Sequence, residues 1–345
     1  MTDPQKILSK LYYERFDEKI TAFEPMAQSG SYRQYYRIKN GKTSVLGVYN
    51  TDLQENKAYL SFTEAFVKAG IDVPEIYATS KSEETYLVED LGGNSLWDIA
   101  QTERERHSGL LTGKAKNLYR KTLKELTNIQ RNTLENIDLS YCYPRDTFDK
   151  QSILWDLNYY KYFFLRLMRV AVDEQRLEDD IQNLATELDK IDQEYFLYRD
   201  FQSRNVMIKD EKPYFIDFQG GRKGSFYYDL ASILYDANVE LHDTDIEELK
   251  DYYYEQIKVI EGIEKEEFEH NFALFSVVRL CQALGAFGLR GVVEKKPHFK
   301  ECIPFALKAL KKIMQNKKIK EAYPTLYNAA IDAVKSTYIN EIIKQ

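Results

Sequence analysis

The chain has 345 residues, of which 43% are hydrophobic and 30% are charged, and its formal net charge is −7. This composition allows a sizeable core and excludes an intrinsically disordered chain. Acidic and basic residues alternate along the sequence without a basic stripe, so we expect no nucleic acid partner.

Cysteine usage and the N-terminus indicate a cytoplasmic protein. Cys142, Cys281 and Cys302 have no metal-ligand spacing and cannot all pair, which is typical of reduced thiols. The opening segment MTDPQKILSKLYYERF is charged throughout and has no apolar signal region. No apolar stretch approaches the roughly 20 residues of a membrane span, so we expect no membrane partner.

The first part of the chain is rich in predicted strands. A helical stripe over residues 3–19 comes first, and Asn40-Gly41 then gives a strong hairpin signal. The predicted strands are Tyr35–Lys39, Thr43–Tyr49, Pro74–Thr79 and Thr85–Glu89, with a helix over Asp52–Lys68 that ends at Gly70. This pattern predicts a small sheet with one helix.

Helical patterns dominate after Asp90-Leu91-Gly92-Gly93, which we interpret as a hinge. The predicted helices are Ser95–Arg104, Lys116–Gln130, Phe148–Val172, Leu177–Ile191, Tyr228–Asp236, Thr244–Ile260, Lys265–Phe287 and Pro304–Lys312. The change near residue 91 predicts an α+β chain with an N-terminal lobe over residues 1–91 and a C-terminal lobe over residues 92–345.

The segment YRDFQSRNVMIKDEKPYFID, from Tyr198 to Asp217, carries the chemistry. Asp200 follows an apolar run, Asn205 comes five residues later, and Asp217 ends the second strand of a predicted hairpin. Phosphoryl transfer needs a carboxylate beside the attacking hydroxyl and oxygen ligands for the Mg²⁺ bound to ATP. Each residue alone would be explained as a turn or strand-end residue. Together they match the kinase pattern H-R-D-x-x-x-x-N with a later strand-borne Asp.

This pattern assigns three roles. Asp200 is the candidate catalytic base, and Asn205 and Asp217 are the candidate ligands of Mg²⁺. Tyr198 stands where the kinase pattern has histidine. That histidine is structural, so we expect no loss of chemistry.

The motifs YRDFQSRN and IDFQ resemble the aminoglycoside phosphotransferase family of small-molecule kinases, which share the protein-kinase fold. Within it, the segments SGSYRQYYRIK, YLVEDLGGNSL and QALGAFGLRG are similar to bacterial anomeric kinases of N-acetylmuramate and N-acetylglucosamine. The resemblance runs from about Glu24 to about Leu310. It implies a bilobal kinase-like fold, ATP and Mg²⁺ as cofactors, and an amino sugar phosphorylated at its anomeric hydroxyl. Aminoglycoside or choline-like acceptors, and a nucleotide-binding pseudokinase without turnover, remain alternatives.

The resemblance also indicates where ATP would bind. Ser29, Gly30, Ser31 and Arg33 lie in a loop between two predicted strands, where small residues let backbone N–H groups approach phosphates. A plain β-turn is the alternative. The backbone around Glu89 and Leu91 would pass behind the adenine.

One element of the kinase pattern is missing. The strand Thr43–Tyr49 has no interior lysine, and Lys42 precedes it too early to reach the phosphates. We therefore expect Arg33 or Arg37 to supply the positive charge. Glu55 would be the helix partner by position, although Asp52-x-x-Glu55 also fits a capping box.

Candidate acceptor contacts are weaker signals. Arg204 and Gln219 lie beside the acidic motif, and Asp149 and Asn158 lie on a helix that walls the acceptor pocket in the resembling kinases. A solvated helix face explains the last two equally simply. Arg279 and Arg290 could meet an acidic substituent such as a lactyl carboxylate, or form surface ion pairs.

Overall fold

The computed structural model describes residues 3–26 and 33–344. Its N-terminal part contains a sheet of five antiparallel strands in the spatial order β1-β2-β3-β5-β4. The strands are β1 (Ala22–Pro25), β2 (Gln34–Lys39), β3 (Ser44–Tyr49), β4 (Ile76–Thr79) and β5 (Thr85–Glu89). The predicted hairpin joins β2 and β3, where Asn40 Oδ1 accepts the backbone N–H groups of Lys42 and Thr43 at 2.9 and 2.8 Å.

Two helices cover the opposite faces of this sheet. Helix α1 (Pro4–Phe16) buries Leu8 against Val45 and the rest of the outer face. Helix α2 (Leu53–Lys68) packs on the other face, which Val48 shares with the main core. Because side chains alternate along a strand, β3 contributes Val48 to the main core and Val45 to the smaller core under α1.

The remaining described residues are mainly helical. The helices are α3 (Leu96–Arg106), α4 (Gly113–Asn132), α5 (Lys150–Tyr160), α6 (Glu174–Leu188), α7 (Tyr227–Leu234), α8 (Asp243–Glu261), α9 (Lys265–Phe287), α10 (Pro297–Glu301), α11 (Ile303–Met314), α12 (Lys317–Ala322), α13 (Pro324–Lys335) and α14 (Thr337–Lys344). Four short strands form two antiparallel pairs: β6 (Tyr195–Leu197) with β9 (Arg222–Gly224), and β7 (Val206–Lys209) with β8 (Lys212–Phe215). The predicted α+β class is confirmed.

Helix α9 is the central helix of this part and contacts α5, α7 and α11. Contrary to the sequence expectation, the segment Lys265–Val293 is long and apolar enough to cross a membrane. In the fold, 78% of its apolar window is buried, so its hydrophobicity is explained by packing inside the protein.

Helices α5 and α9 approach each other closely at two glycines. A Cβ atom at Gly285 would lie 2.8 Å from backbone atoms of Tyr159, and one at Gly288 would lie 1.9 Å from the carbonyl oxygen of Phe163. Both helices pass into π-helical segments here, over Lys161–Arg166 and Gly288–Val293. The long helix predicted over Phe148–Val172 therefore ends its regular part at Tyr160.

We expect Gly288→Ala to destabilise the fold by about 2 kcal/mol, since the added methyl group meets backbone that cannot rotate away. In a helix with room for the methyl group, the same change would stabilise the protein by up to about 1 kcal/mol. Urea unfolding measures the difference. Gly93→Ala is the control, because nothing lies within 4 Å of a Cβ atom built there. Equal stabilities for the two variants would contradict the close approach.

Candidate active site

The hairpin β7–β8 brings together the three residues of the predicted catalytic motif. Asn205 directly precedes β7 and Asp217 follows β8, and the backbone N–H of Ile216 donates to the Asn205 carbonyl at 3.1 Å. The Asn205 Nδ2 group donates to the Asp200 carbonyl oxygen at 2.9 Å and lies 3.4 Å from Asp217 Oδ2. One amide thus connects the proposed base to the proposed metal ligand.

The backbone around this motif is held in an unfavourable conformation. Arg199 and Asp217 have φ angles of 80° and 67°, in the left-handed region that side chains disfavour. The buried Asp229 carboxylate accepts the backbone N–H groups of Tyr198 and Arg199 at 2.7 and 3.0 Å. The Tyr198 hydroxyl donates to the Ile216 carbonyl at 2.5 Å. Tyr198 therefore has the structural role expected at this position.

Asp200 is an exposed residue whose carboxylate interacts with several charged groups. The surrounding protein atoms and the neighbouring Asp217 carboxylate raise the pKa of Asp200. Arg199, Arg279 and Arg222 act in the opposite direction. Because the pKa is raised, Asp200 holds a proton more readily than an ordinary aspartate, which suits a base that accepts one during the reaction.

A bidentate ion pair fixes the side chain of Arg199. Its Nη1 and Nη2 atoms lie 2.7 and 2.6 Å from the two carboxylate oxygens of Asp156 on α5. The Tyr228 hydroxyl accepts from Arg199 at 2.6 Å and donates to Asp156 at 3.1 Å. Asp156 lies on the same helix as the candidate acceptor contact Asn158, and only the fold reveals its partner, 43 positions away.

Arg33 takes a place beside Glu55 that the kinase pattern gives to lysine. Its Nη2 atom lies 2.8 Å from Glu55 Oε1. The Gln219 amide donates to the same Glu55 oxygen at 3.2 Å and to Asp217 Oδ1 at 2.8 Å. The four side chains therefore connect the N-terminal sheet to the proposed metal ligand.

Glu55 does not close the capping box that its position also permitted. Asp52 caps α2 by accepting the backbone N–H groups of Gln54 and Glu55. The backbone N–H of Asp52 donates to Asn50 Oδ1 at 3.1 Å, and the Asn50 amide donates to Glu55 Oε2 at 2.7 Å. Glu55 is thus engaged with Arg33, Asn50 and Gln219.

Arg37, the other candidate for the missing lysine, is bound at the hinge. Its guanidinium contacts Asp90 through two hydrogen bonds of 2.7 and 3.1 Å, and Ser44 Oγ donates to Asp90 at 2.5 Å. Burial opposes ionisation of Asp90, but the hydrogen bonds from Ser44 and Arg37 outweigh it and lower its pKa. Of the adjacent residues, Glu89 forms an ion pair with Lys209, and Leu91 is buried.

The other predicted site residues have varied surroundings. Ser29, Gly30 and Ser31 lie outside the described residues. Asp149 caps α5 by accepting the Ser152 N–H at 3.0 Å, and it pairs with Arg145. The Arg204 guanidinium lies 4.6 Å from the centre of the Trp97 ring. Asn158 is half-buried on α5.

Residues 23–263 match the model of the phosphotransferase enzyme family. The chain belongs to this family. It is therefore an ATP-dependent small-molecule phosphotransferase, as the catalytic motif predicts.

Comparison with individual proteins supports the same assignment. The kinase is 24% identical to an N-acetylmuramate/N-acetylglucosamine kinase of Neisseria meningitidis over 89% of its length and 88% of the relative. It is also 24% identical to a protein of that description from Pseudomonas aeruginosa, covering 62% of the kinase and 60% of the relative. A solved aminoglycoside phosphotransferase with ADP and hygromycin B has a TM-score of 0.53, at 15% identity over 88% of the kinase and 98% of that chain.

We expect Tyr198→Phe to destabilise the kinase by about 1 kcal/mol and to lower kcat, since the Ile216 carbonyl loses its donor beside Asp217. Tyr160→Phe is the control, because the buried Tyr160 hydroxyl has no hydrogen-bond partner among the described residues and its removal should not destabilise the fold. Urea unfolding and steady-state rates measure both effects. Equal stabilities and rates of the two variants would show that the Tyr198 hydroxyl has no structural role.

Proposed function

We propose that the kinase transfers the γ-phosphate of Mg·ATP to the anomeric hydroxyl of an amino sugar of the N-acetylmuramate or N-acetylglucosamine type. The convergence of Asp200, Asn205 and Asp217 at one exposed position carries the proposed reaction. The amino-sugar acceptor is suggested by the descriptions of the relatives.

Asp200 orients the acceptor hydroxyl and accepts its proton as the bond to phosphorus forms. The base must be ionised when the acceptor binds. Its raised pKa therefore predicts that activity falls, as the pH is lowered, at a higher pH than for an ordinary aspartate.

The donor atoms of Asn205 and Asp217 fit Mg²⁺. Because Asn205 uses its NH₂ group towards Asp200 and Asp217, its carbonyl oxygen Oδ1 is left for a metal ion. Carboxylate and amide oxygens are ligands that Mg²⁺ accepts in proteins. When bound, the ion would neutralise charge on the β- and γ-phosphates.

The N-terminal lobe, residues 1–91, would cover the nucleotide, and residues 92–345 would carry the base and the acceptor site. Ser29, Gly30 and Ser31 would approach the phosphates, and the backbone at Glu89 and Leu91 would pass behind the adenine. Arg33 is the proposed substitute for the missing lysine, because it pairs with the helix glutamate Glu55 as that lysine would.

Four polar residues are proposed as acceptor contacts: Arg204, Gln219, Asp149 and Asn158. Asn158 is half-buried on α5, whereas Asp149 already serves as a helix cap and ion-pair partner. We also propose a cytoplasmic location, where ATP is abundant and the three buried cysteines stay reduced.

An ATP-consumption assay with N-acetylmuramate, N-acetylglucosamine, kanamycin and choline tests the proposed acceptor. We expect turnover on the two sugars and a product that is phosphorylated at the anomeric oxygen. Preference for kanamycin or choline would reassign the acceptor. Tight ATP binding with turnover on none of the four would favour the pseudokinase.

We expect Asp200→Asn to lower kcat by about 10²- to 10⁴-fold with little change in ATP affinity, since an amide cannot accept the proton. Asp217→Ala should instead weaken Mg·ATP binding. Asp332→Asn on α13 removes an exposed carboxylate and is the control. Near-normal turnover by Asp200→Asn would refute the base assignment.

We expect Arg33→Ala to lower kcat/KM for ATP by about tenfold or more, because Glu55 loses its cation and the phosphates lose a positive charge. Arg37→Ala should act mainly on stability, because Arg37 is bound to Asp90. Arg33→Lys should recover part of the activity. This recovery would show that misfolding does not cause the loss in Arg33→Ala. If Arg33→Ala retains the ATP KM and kcat of the parent, the proposal that Arg33 takes the role of the missing lysine is refuted.

A further inference from the structure

Two buried arginines lie near the catalytic motif. Arg222 on β9 is 7% exposed, and Arg279 on α9 is 8% exposed. The Ser232 hydroxyl that accepts from Arg279 lies one helical turn after Tyr228 on α7, and the Tyr228 hydroxyl contacts Arg199, the residue before Asp200. A Cβ atom built on Gly220, whose carbonyl accepts from Arg222, would lie 3.8 Å from Asp200 Oδ2.

Neutral groups accept some of the hydrogen bonds that each guanidinium can donate. Arg222 donates to the Gly220 carbonyl at 3.2 and 2.9 Å and to the Tyr143 carbonyl at 3.1 Å. Arg279 donates to Ser232 Oγ and to Gln282 Oε1, each at 2.9 Å. Within residues 3–26 and 33–344, no carboxylate lies within ion-pair distance of either guanidinium. A buried cation without a counter-charge is unfavourable.

The carboxylates near Asp200 have other partners. Asp156 pairs with Arg199, and Asp217, the proposed ligand of Mg²⁺, accepts from Gln219. Asp156 is already bound in both directions by Arg199. The Nη1 atom of Arg222 and the Nη2 atom of Arg279 have no hydrogen-bond partner in the described part of the chain. Neither nitrogen is among the fully enclosed polar atoms, so both remain accessible to a bound molecule.

We propose that Arg222 and Arg279 bind a carboxylate on the acceptor and thereby select an acidic sugar over its neutral analogue. The inference rests on the proposed function and adds the charge of the acceptor to it. A carboxylate on the acceptor would accept hydrogen bonds from the unused Nη atoms of Arg222 and Arg279, and guanidinium groups recognise carboxylates with charge-assisted hydrogen bonds. The same chemistry could serve the phosphoryl group in transfer, so the test must separate acceptor from nucleotide.

The test compares N-acetylmuramate with N-acetylglucosamine, which lacks the lactyl carboxylate, in the parent enzyme and in Arg222→Gln and Arg279→Gln. We expect the ratio of kcat/KM for the acidic sugar to that for the neutral sugar to fall by about 10- to 100-fold in each variant, since a charged hydrogen bond is lost. The ATP KM should change less than this ratio. Arg176→Gln is the matched control, because the Arg176 side chain is 79% exposed on α6.

Three outcomes would overturn the inference while the proposed function stands. Equal losses on both sugars at an unchanged ATP KM would show that the arginines only support the fold. Equal losses with a raised ATP KM would assign them to the phosphoryl group. An unchanged ratio with full activity would remove any role in selection. Circular dichroism of each variant confirms that it is folded.

Turnover of neither sugar by the parent enzyme would overturn the proposed function instead. Calorimetric titration with N-acetylmuramate then decides the inference without catalysis. Binding of the acidic sugar that is weakened in both arginine variants, but not in Arg176→Gln, supports it. Absence of binding to the parent overturns it.

Discussion

The buried carboxylate of Asp229 is the interaction on which the site depends. It accepts two consecutive backbone N–H groups at the start of the catalytic loop, where Arg199 has a left-handed φ angle. Such backbone strain costs on the order of 1–3 kcal/mol per residue. Hydrogen bonds to a charged group contribute a similar amount. Burial raises the pKa of Asp229 to about 7, and the hydrogen bonds from its two backbone donors act in the opposite direction.

The same region joins the N-terminal sheet to the helical part. Phe218, directly after Asp217, stacks on Tyr59 of α2 with ring centroids 5.2 Å apart and packs against Phe66 at 4.7 Å. Beside this aromatic packing, polar contacts join Arg33 to Glu55, Glu55 to Gln219 and Gln219 to Asp217. Helix α2 is therefore connected to the proposed metal ligand Asp217 in two ways, through the aromatic packing on Phe218 and through the hydrogen bonds of Gln219. A displacement of α2 would disturb both the aromatic packing and the polar chain.

Local signals predicted much of the fold and the core of the site. The Asp52 cap and the apolar periodicity located α2, the bounds of α9 match the predicted Lys265–Phe287, and motif spacing brought Asp200, Asn205 and Asp217 together. Partners distant in sequence were not predictable in the same way. The sequence left Arg33 and Arg37 open as the partner of Glu55, and only the fold pairs Glu55 with Arg33. The pair Arg199–Asp156 depends on tertiary packing, which leaves no periodic signal in either segment.

Asp149 shows that one residue type at a helix start can serve two roles. A carboxylate on a helix near the acceptor suggested a substrate contact, yet a helix start also attracts aspartate, and the capping role is the one seen in the structure. The π-helical turns were not predictable either, since they occur where two glycines let separate helices meet. Neither segment alone contains that information.

The glycine contact between α5 and α9 has a consequence for how such an enzyme can change its acceptor. Helix α5 carries Asp156, and α9 carries Arg279, so the backbone contact at Gly285, together with that at Gly288 just after α9, fixes the spacing of the helices that carry an acidic and a basic residue of the proposed acceptor site. Neither helix can rotate or slide without separating at this contact. New acceptor specificities should therefore arise by exchanging side chains on two stationary helices, with the spacing between the helices unchanged.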